Sequence, residues 1–290
     1  MARFQIPNPK SQILNWSLFI VHCSLFIVLA ACARPDDAWE RVRESGVLRV
    51  GMDASFPPFE NIAADGTLAG FDVDLARELG RRLGPALSKA EGVEVQFVAN
   101  LPYDGLYDAL AVDCVDIVIS ALVVNPDRMA DFAYSTPYFD AGQVLVVRPP
   151  SVPPESGGEE RGGGIEEMGD LSGHTLAVEF GTQGDLEARR WARRLSGLTV
   201  VPHQTAAEAL AAVAAGEADV ALVDHVSALA ATGAGSGLVI VEAPVVEEPY
   251  AVAVRRESQH LLCAINEALA EMEASGMMET LVAEWLEGGL

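Results

Sequence analysis

Short apolar runs and amphipathic runs alternate along most of this chain, and that alternation limits its fold more than any other feature. Apolar, strand-prone runs lie at 47–52, 93–98, 115–121, 143–148, 175–179, 198–202, 218–223, 238–242 and 250–255. Between and after them the pattern predicts helices over 72–83, 104–112, 126–132, 184–195, 206–215, 225–231, 259–274 and 277–287. The first of these shows the basis. Leu75, Leu79 and Leu83 repeat every fourth residue, which lays one apolar stripe along a helix, and Gly84-Pro85 is expected to stop it. Thr205 with Glu208 reads as a capping box opening an alanine-rich helix. Buried strands alternating with helices imply an α/β fold of mostly parallel sheets covered by helices. The 290 residues leave room for two lobes of about 100–150 residues each.

The formal net charge is −23, from 42 acidic and 19 basic residues. So negative a chain is a poor partner for nucleic acid or anionic membrane surfaces; the excess charge serves solubility and can draw in cationic ligands. Of the histidines beyond the first apolar run, His174, His203, His225 and His260 are scattered, and none sits with Cys or an acid at metal-ligand spacing. His225 adjoins Asp224 but begins a helix, so its ring is expected to point elsewhere. There is no Gly-rich phosphate loop, nucleophile elbow or zinc motif, and no cofactor is expected.

Residues 1–32 read as a targeting segment. Arg3 and Lys10 precede an apolar run from Ile13 to Ala31, interrupted by Asn15 and His22 and ending in Leu29-Ala30-Ala31-Cys32. Small residues before a cysteine resemble a bacterial lipobox, in which Cys32 is lipidated and the preceding residues are removed. An ordinary cleaved signal peptide or a retained anchor is the alternative. No other run approaches the ~18 apolar residues of a membrane span. The body is therefore expected to be extracytoplasmic, in the periplasm or at the cell surface. Its two remaining thiols, Cys114 and Cys263, are compatible with a disulfide or with two free groups. Residues 149–170, PPSVPPESGGEERGGGIEEMGD, have no periodic apolar face and read as a flexible surface loop.

The stretch from Leu48 to Arg77, LRVGMDASFPPFENIAADGTLAGFDVDLAR, resembles the opening of the extracytoplasmic solute-binding proteins of family 3, the substrate-binding subunits of polar amino-acid ABC importers. Tyr103-Asp104-Gly105-Leu106, Arg128, Gly181-Thr182, Asp224 and Asn266-x-Ala268-Leu269 extend the likeness over 46–290. The resemblance implies the type II periplasmic-binding-protein fold: two lobes, each a mostly parallel sheet flanked by helices, with a hinge between them. On that template lobe 1 is 46–142 plus 248–290, and lobe 2 is 143–247. The chain would cross near Gly142-Gln143 and Glu248-Pro249.

A free amino acid presents a carboxylate and an ammonium on one carbon, so its site needs a cation with N–H donors and an anion with acceptors. Arg128 follows the run Ser120-Ala121-Leu122-Val123-Val124, with Asn125 placed as N-cap and Pro126 at the first helical position. Such a helix start favours anions, and the family's Thr-x-x-Arg assigns Arg128 to the ligand carboxylate. Asp224 ends the apolar strand 218–223 and matches the family's ammonium-binding aspartate; simple capping of the next helix is the alternative. Thr182 matches a carboxylate-touching Gly-Thr turn in which Gln183 replaces a second hydroxyl. Phe56 and Tyr103 match two wall positions, Asp53 an acid facing the side-chain pocket, and Glu179 a lining residue from lobe 2. Ser120 and Ala121 complete the set. Val123 departs from the pattern: the family commonly has Ser or Thr there, and valine cannot accept an ammonium hydrogen bond.

These residues imply a monomer that binds a polar amino acid, with Asp53 and Glu179 favouring a basic or hydrogen-bonding side chain, and passes it to an ABC permease. No catalytic residue is assigned. Two rivals share the fold: a prephenate or arogenate dehydratase using Glu179 or Asp53 as general acid, and a sensing module for a separate receptor.

Overall fold

In the computed structural model, residues 37–149 and 164–287 are described, apart from 90, 234 and 242. The targeting segment with Cys32, and most of the loop at 149–170, lie outside them. Two five-stranded sheets organise the chain. The first orders its strands Glu94–Val98, Val47–Gly51, Ile117–Val118, Ala253–Arg255, Phe132–Tyr134. The second runs Thr199–His203, Thr175–Glu179, Val220–Asp224, Gln143–Val147, Val239–Ile240. In each, the first three strands are parallel and the last two are joined antiparallel. The antiparallel strands include those next to the crossings between sheets, where the chain enters from the opposite end.

Each sheet is buried on both faces, as parallel strands require. Above the first sheet, the helices Phe71–Ala86 and Gln259–Ala274 pack into one cluster with Leu48, Val50 and Ile119. Leu106, Leu110, Val118 and Phe132 fill the other face. Ala209, Leu210 and Val213 cover one side of the second sheet, and Met168, Leu171 and Ala188 the other. The stripe of Leu75, Leu79 and Leu83 is fully buried, and burying each such side chain is worth about 1.5–3 kcal/mol.

Three expectations are corrected. The first helix does not stop at Gly84-Pro85 but runs to Ala86, because Pro85 falls in the last turn, where its missing N–H costs one hydrogen bond at most. The helix expected over 126–132 is a single 3-10 turn, Pro126–Arg128, and Phe132–Tyr134 is instead a strand paired with Ala253–Arg255. That pairing partner lies more than a hundred residues on, beyond the reach of local pattern. The run 250–255 is split: Pro249–Tyr250 pairs with Phe139–Asp140 in a two-stranded ribbon, and only Ala253–Arg255 joins the large sheet.

This ribbon is where the chain passes between the sheets. Asp140 Oδ1 accepts the N–H groups of both Gly142 and Glu248 at 2.8 Å, tying the two crossings at one carboxylate. Gly142 is obligatory, since a Cβ there would sit 1.8 Å from the Val246 carbonyl oxygen. Cys114 and Cys263 are both exposed and free.

Candidate functional site

The parallel strands of the first sheet deliver their C-terminal ends to one place, the usual location of ligands in open α/β sheets. Val47–Gly51 leads to Asp53, and Ile117–Val118 leads to Ser120 and Ala121. A hairpin from Ser55 to Ala69 closes over them, its Asp65-Gly66 turn fixed by the Thr67 N–H on Asp65 Oδ1 at 2.9 Å. Together they enclose a cavity of about 320 Å³. Asp53, Phe56, Tyr103, Ser120, Ala121 and Val123 line it, as do Ser55, Glu60, Glu248 and Tyr250. The wall from 122 to 124 is stitched to the crossing by Ala251 N–H on Leu122 O and Val124 N–H on Pro249 O, at 3.0 and 3.1 Å.

Hydrogen bonds fix the polar floor. Asp53 N–H donates to Ser120 Oγ at 3.0 Å, and the Ser120 hydroxyl donates to Glu60 Oε1 at 2.7 Å. The Ser55 hydroxyl donates to Asp53 Oδ1 at 2.7 Å. Behind Glu60, Asp72 accepts the Ala121 N–H at 2.6 Å and the Tyr138 hydroxyl at 3.0 Å. Ala121 is held at φ 43, a left-handed conformation that an alanine adopts only when its neighbours impose it. Burial, then the Asp72 carboxylate beside it, pushes Glu60 up to about 9. Burial also raises Asp72, against the hydrogen bonds it accepts. Glu248 is raised as well, by burial first and then by Asp140 and Asp224.

The walls are aromatic. Phe56 and Tyr103 are 50% and 48% exposed, a costly display unless something covers them. Phe56 stacks on Phe59 with centroids 5.8 Å apart, and Phe59 meets Tyr250 edge-on at 5.3 Å. No basic side chain lines the cavity.

The other expected residues lie outside this cavity. Arg128 is exposed, with its guanidinium over the Tyr107 ring at 5.1 Å. Asn125 does cap its turn, accepting the Asp127 N–H at 3.0 Å, but one 3-10 turn offers no helix terminus for an anion. Thr182 caps the helix Gln183–Ala192: its Oγ1 accepts the Asp185 N–H at 3.3 Å and donates to the Glu179 carbonyl at 2.8 Å. Gln183 is exposed and Glu179 half-buried at its strand end. Asp224 caps the helix His225–Ala231, with Oδ1 accepting the Ser227 N–H at 2.8 Å. The His225 ring does point elsewhere, stacking on Phe139 at 5.2 Å with Nδ1 2.6 Å from the Asp140 carbonyl.

Four lining residues were not anticipated from sequence. Glu60 carried a usable signal, since it stands in the quoted SFPPFE run and alternates inward on a hairpin strand. Ser55 lies in the same run. Glu248 and Tyr250 arrive from the second crossing, and nothing local marks them.

The model of the bacterial extracellular solute-binding proteins, family 3, matches residues 48–288. The L-cystine-binding protein TcyJ of Escherichia coli (strain K12) is 29% identical over 248 residues, 84% of each chain. The arginine-binding extracellular protein ArtP of Bacillus subtilis (strain 168) is 26% identical over 277 residues, 94% of this chain and 98% of that one. Among solved structures, an ancestral cationic amino acid solute-binding protein superposes with a TM-score of 0.56 at 29% identity, covering 86% of this chain and 99% of its own.

Proposed function

The chain belongs to the bacterial extracellular solute-binding proteins, family 3, and from that premise we propose that it captures a polar amino acid with a cationic side chain and hands it to an ABC importer. One observation carries the choice of ligand. Asp53, Glu60 and Glu248 converge on a cavity walled by Phe56, Tyr103 and Tyr250 and lined by no basic group. Carboxylates withdrawn from water are costly until a cation or proton meets them, and aromatic faces add cation–π attraction. Two of the named relatives fit a ligand of this kind, one by its arginine and one by its cationic amino acids.

In this reading lobe 1 is 46–142 plus 248–290 and lobe 2 is 143–247, and both contribute ligand contacts. Arg128 takes the ligand carboxylate by leaving Tyr107. An exposed cation–π contact is worth about 0.5–1 kcal/mol and a hydrogen bond to a charged group about 1.5–3 kcal/mol, so the exchange is favourable. Asp224 takes the ammonium with Oδ2, since its cap occupies Oδ1. Glu179, Thr182 and Gln183 approach from the second sheet as the lobes close about the crossings. A lipid on Cys32 would tether the protein, and mass spectrometry of the membrane-extracted chain tests that. A dehydratase role finds less support, because Asp53 Oδ1 is occupied by Ser55 and Glu179 stands outside the cavity.

The test is a thermal-shift panel of the common L-amino acids with ornithine, citrulline, putrescine and arogenate. Arginine, lysine or ornithine should raise the melting temperature most, because ligand at a hundred times Kd adds about 2.7 kcal/mol to the native state. Silence from every α-amino acid, or turnover of arogenate, refutes the proposal.

A further inference from the structure

Beneath the cavity floor lie two buried carboxyl groups, Glu60 and Asp72, each with one oxygen left unpaired. Glu60 is 1% exposed and Asp72 fully buried. Ser120 satisfies Glu60 Oε1, while Ala121 N–H and the Tyr138 hydroxyl satisfy Asp72 Oδ2. Glu60 Oε2 and Asp72 Oδ1 have no donor, although the two groups lie within hydrogen-bond reach of each other. Two carboxylates offer only lone pairs, so a single proton held between them completes both. The charged and titratable groups facing the pair are Asp53 beside the strand end, Tyr138 from behind, Tyr103 and Tyr250 from the walls, and Glu248 across the cavity. Among the described residues none of these facing groups is a cation, so a proton is what the chain itself offers to relieve the repulsion.

Resting on the cation-binding reading above, we propose that a positively charged ligand replaces this proton: the Glu60 O–H bond breaks, Glu60 keeps the electron pair as carboxylate, and the proton passes to solvent. Glu60 then serves as a charge filter. A cation meets a floor that becomes negative on its arrival, whereas a neutral ligand has nothing with which to displace the proton and meets a neutral one. Asp72 is a positioning residue. It supplies the repulsion that keeps the proton on Glu60 and holds Ala121 in its left-handed turn. The affinity for a cation should accordingly rise with pH, by up to about tenfold per pH unit for one proton released.

The experiment is titration calorimetry of the intact protein with L-arginine, L-lysine and L-ornithine at pH 7.5, in phosphate, HEPES and Tris, whose ionisation heats differ. Observed heats that vary with the buffer and give close to one proton released per ligand support the proposal. Binding with heats identical in all three buffers overturns it and leaves the cation-binding reading standing. No binding by any of the three ligands removes that reading, and the proposal with it. Glu60→Gln retains an acceptor for Ser120 and a donor for Asp72, and it should abolish proton release. Release that survives in Glu60→Gln assigns the proton elsewhere and overturns the inference. The wild-type proton count stands even where a variant fails to fold.

Discussion

In the ligand capture proposed above, the two sheets would bring unequally prepared groups. On the first-sheet side, Asp53, Ser120, Glu60, Asp72 and Ala121 are interlocked, and all but Asp53 are buried. On the second-sheet side, Thr182 and Asp224 are engaged with the helices they cap, and neither lines the cavity. One side holds polar groups already fixed by the fold, and as a receptor it would be preorganised. The other holds groups with an ordinary local task and spare capacity. Substitutions should therefore separate: changes on the first side register in stability, and changes on the second register in binding.

The largest effect that could break this contrast is at Asp72. Asp72→Ala strips acceptors from the Ala121 N–H and the Tyr138 hydroxyl and leaves a void in the core, so it should cost about 2–4 kcal/mol of unfolding free energy. Urea denaturation measures it, and a loss under 1 kcal/mol would mean that the floor is not interlocked as described.

The next effect is a pH slope. The folded-state pKa of Glu60 is raised from 4.5 to about 9, and that of Asp72 is raised in the same direction. Between those limits the native chain holds a proton that the unfolded chain has released. Stability therefore falls as pH climbs through this window, with a ceiling of about 1.4 kcal/mol per pH unit for one proton. Urea midpoints from pH 6 to pH 8 should decline for the wild type, by about 2 kcal/mol once converted to free energy. They should flatten in Glu60→Gln. A wild-type midpoint that rises over this range would contradict the shared-proton arrangement.

The smallest stability effect should come from the second sheet. Asp224→Ala removes a helix cap and should cost only about 1 kcal/mol. Its effect on affinity for a cationic amino acid should be larger, because a buried ammonium would lose its carboxylate. An isothermal titration that finds unchanged affinity would leave Asp224 a cap and nothing more.

What the sequence revealed of this division depended on distance along the chain. The parallel core strands were readable because each is a compact apolar run, and the family resemblance then picked out Asp53, Ser120 and Ala121 at their ends. The expected helix over 126–132 ran into Phe132, and the strand Phe132–Tyr134 was missed because its strand character comes from Ala253–Arg255. Glu60 stood in the quoted SFPPFE run but was assigned no role. Its burial depends on Ser120 and Asp72, which reach it from other elements. Glu248 and Tyr250 are brought to the cavity by the second crossing, a tertiary event that no local spacing encodes. Positions carried by a local run or a matched motif were legible, and contacts set by distant elements were not.

Asp140 sets a rule for any movement between the sheets. Two chain segments pinned at one carboxylate resemble two straps riveted at a single point: they can flex together but cannot slide past each other. Any displacement of one sheet against the other would then be turned into rotation about that rivet. Residues near it, such as Glu248, barely travel, and groups at the far rim sweep the longest arcs. A ligand held beside Glu248, whose N–H is pinned to Asp140, would work at the short end of a lever, and an ångström-scale rearrangement there would be enlarged at the outer edges.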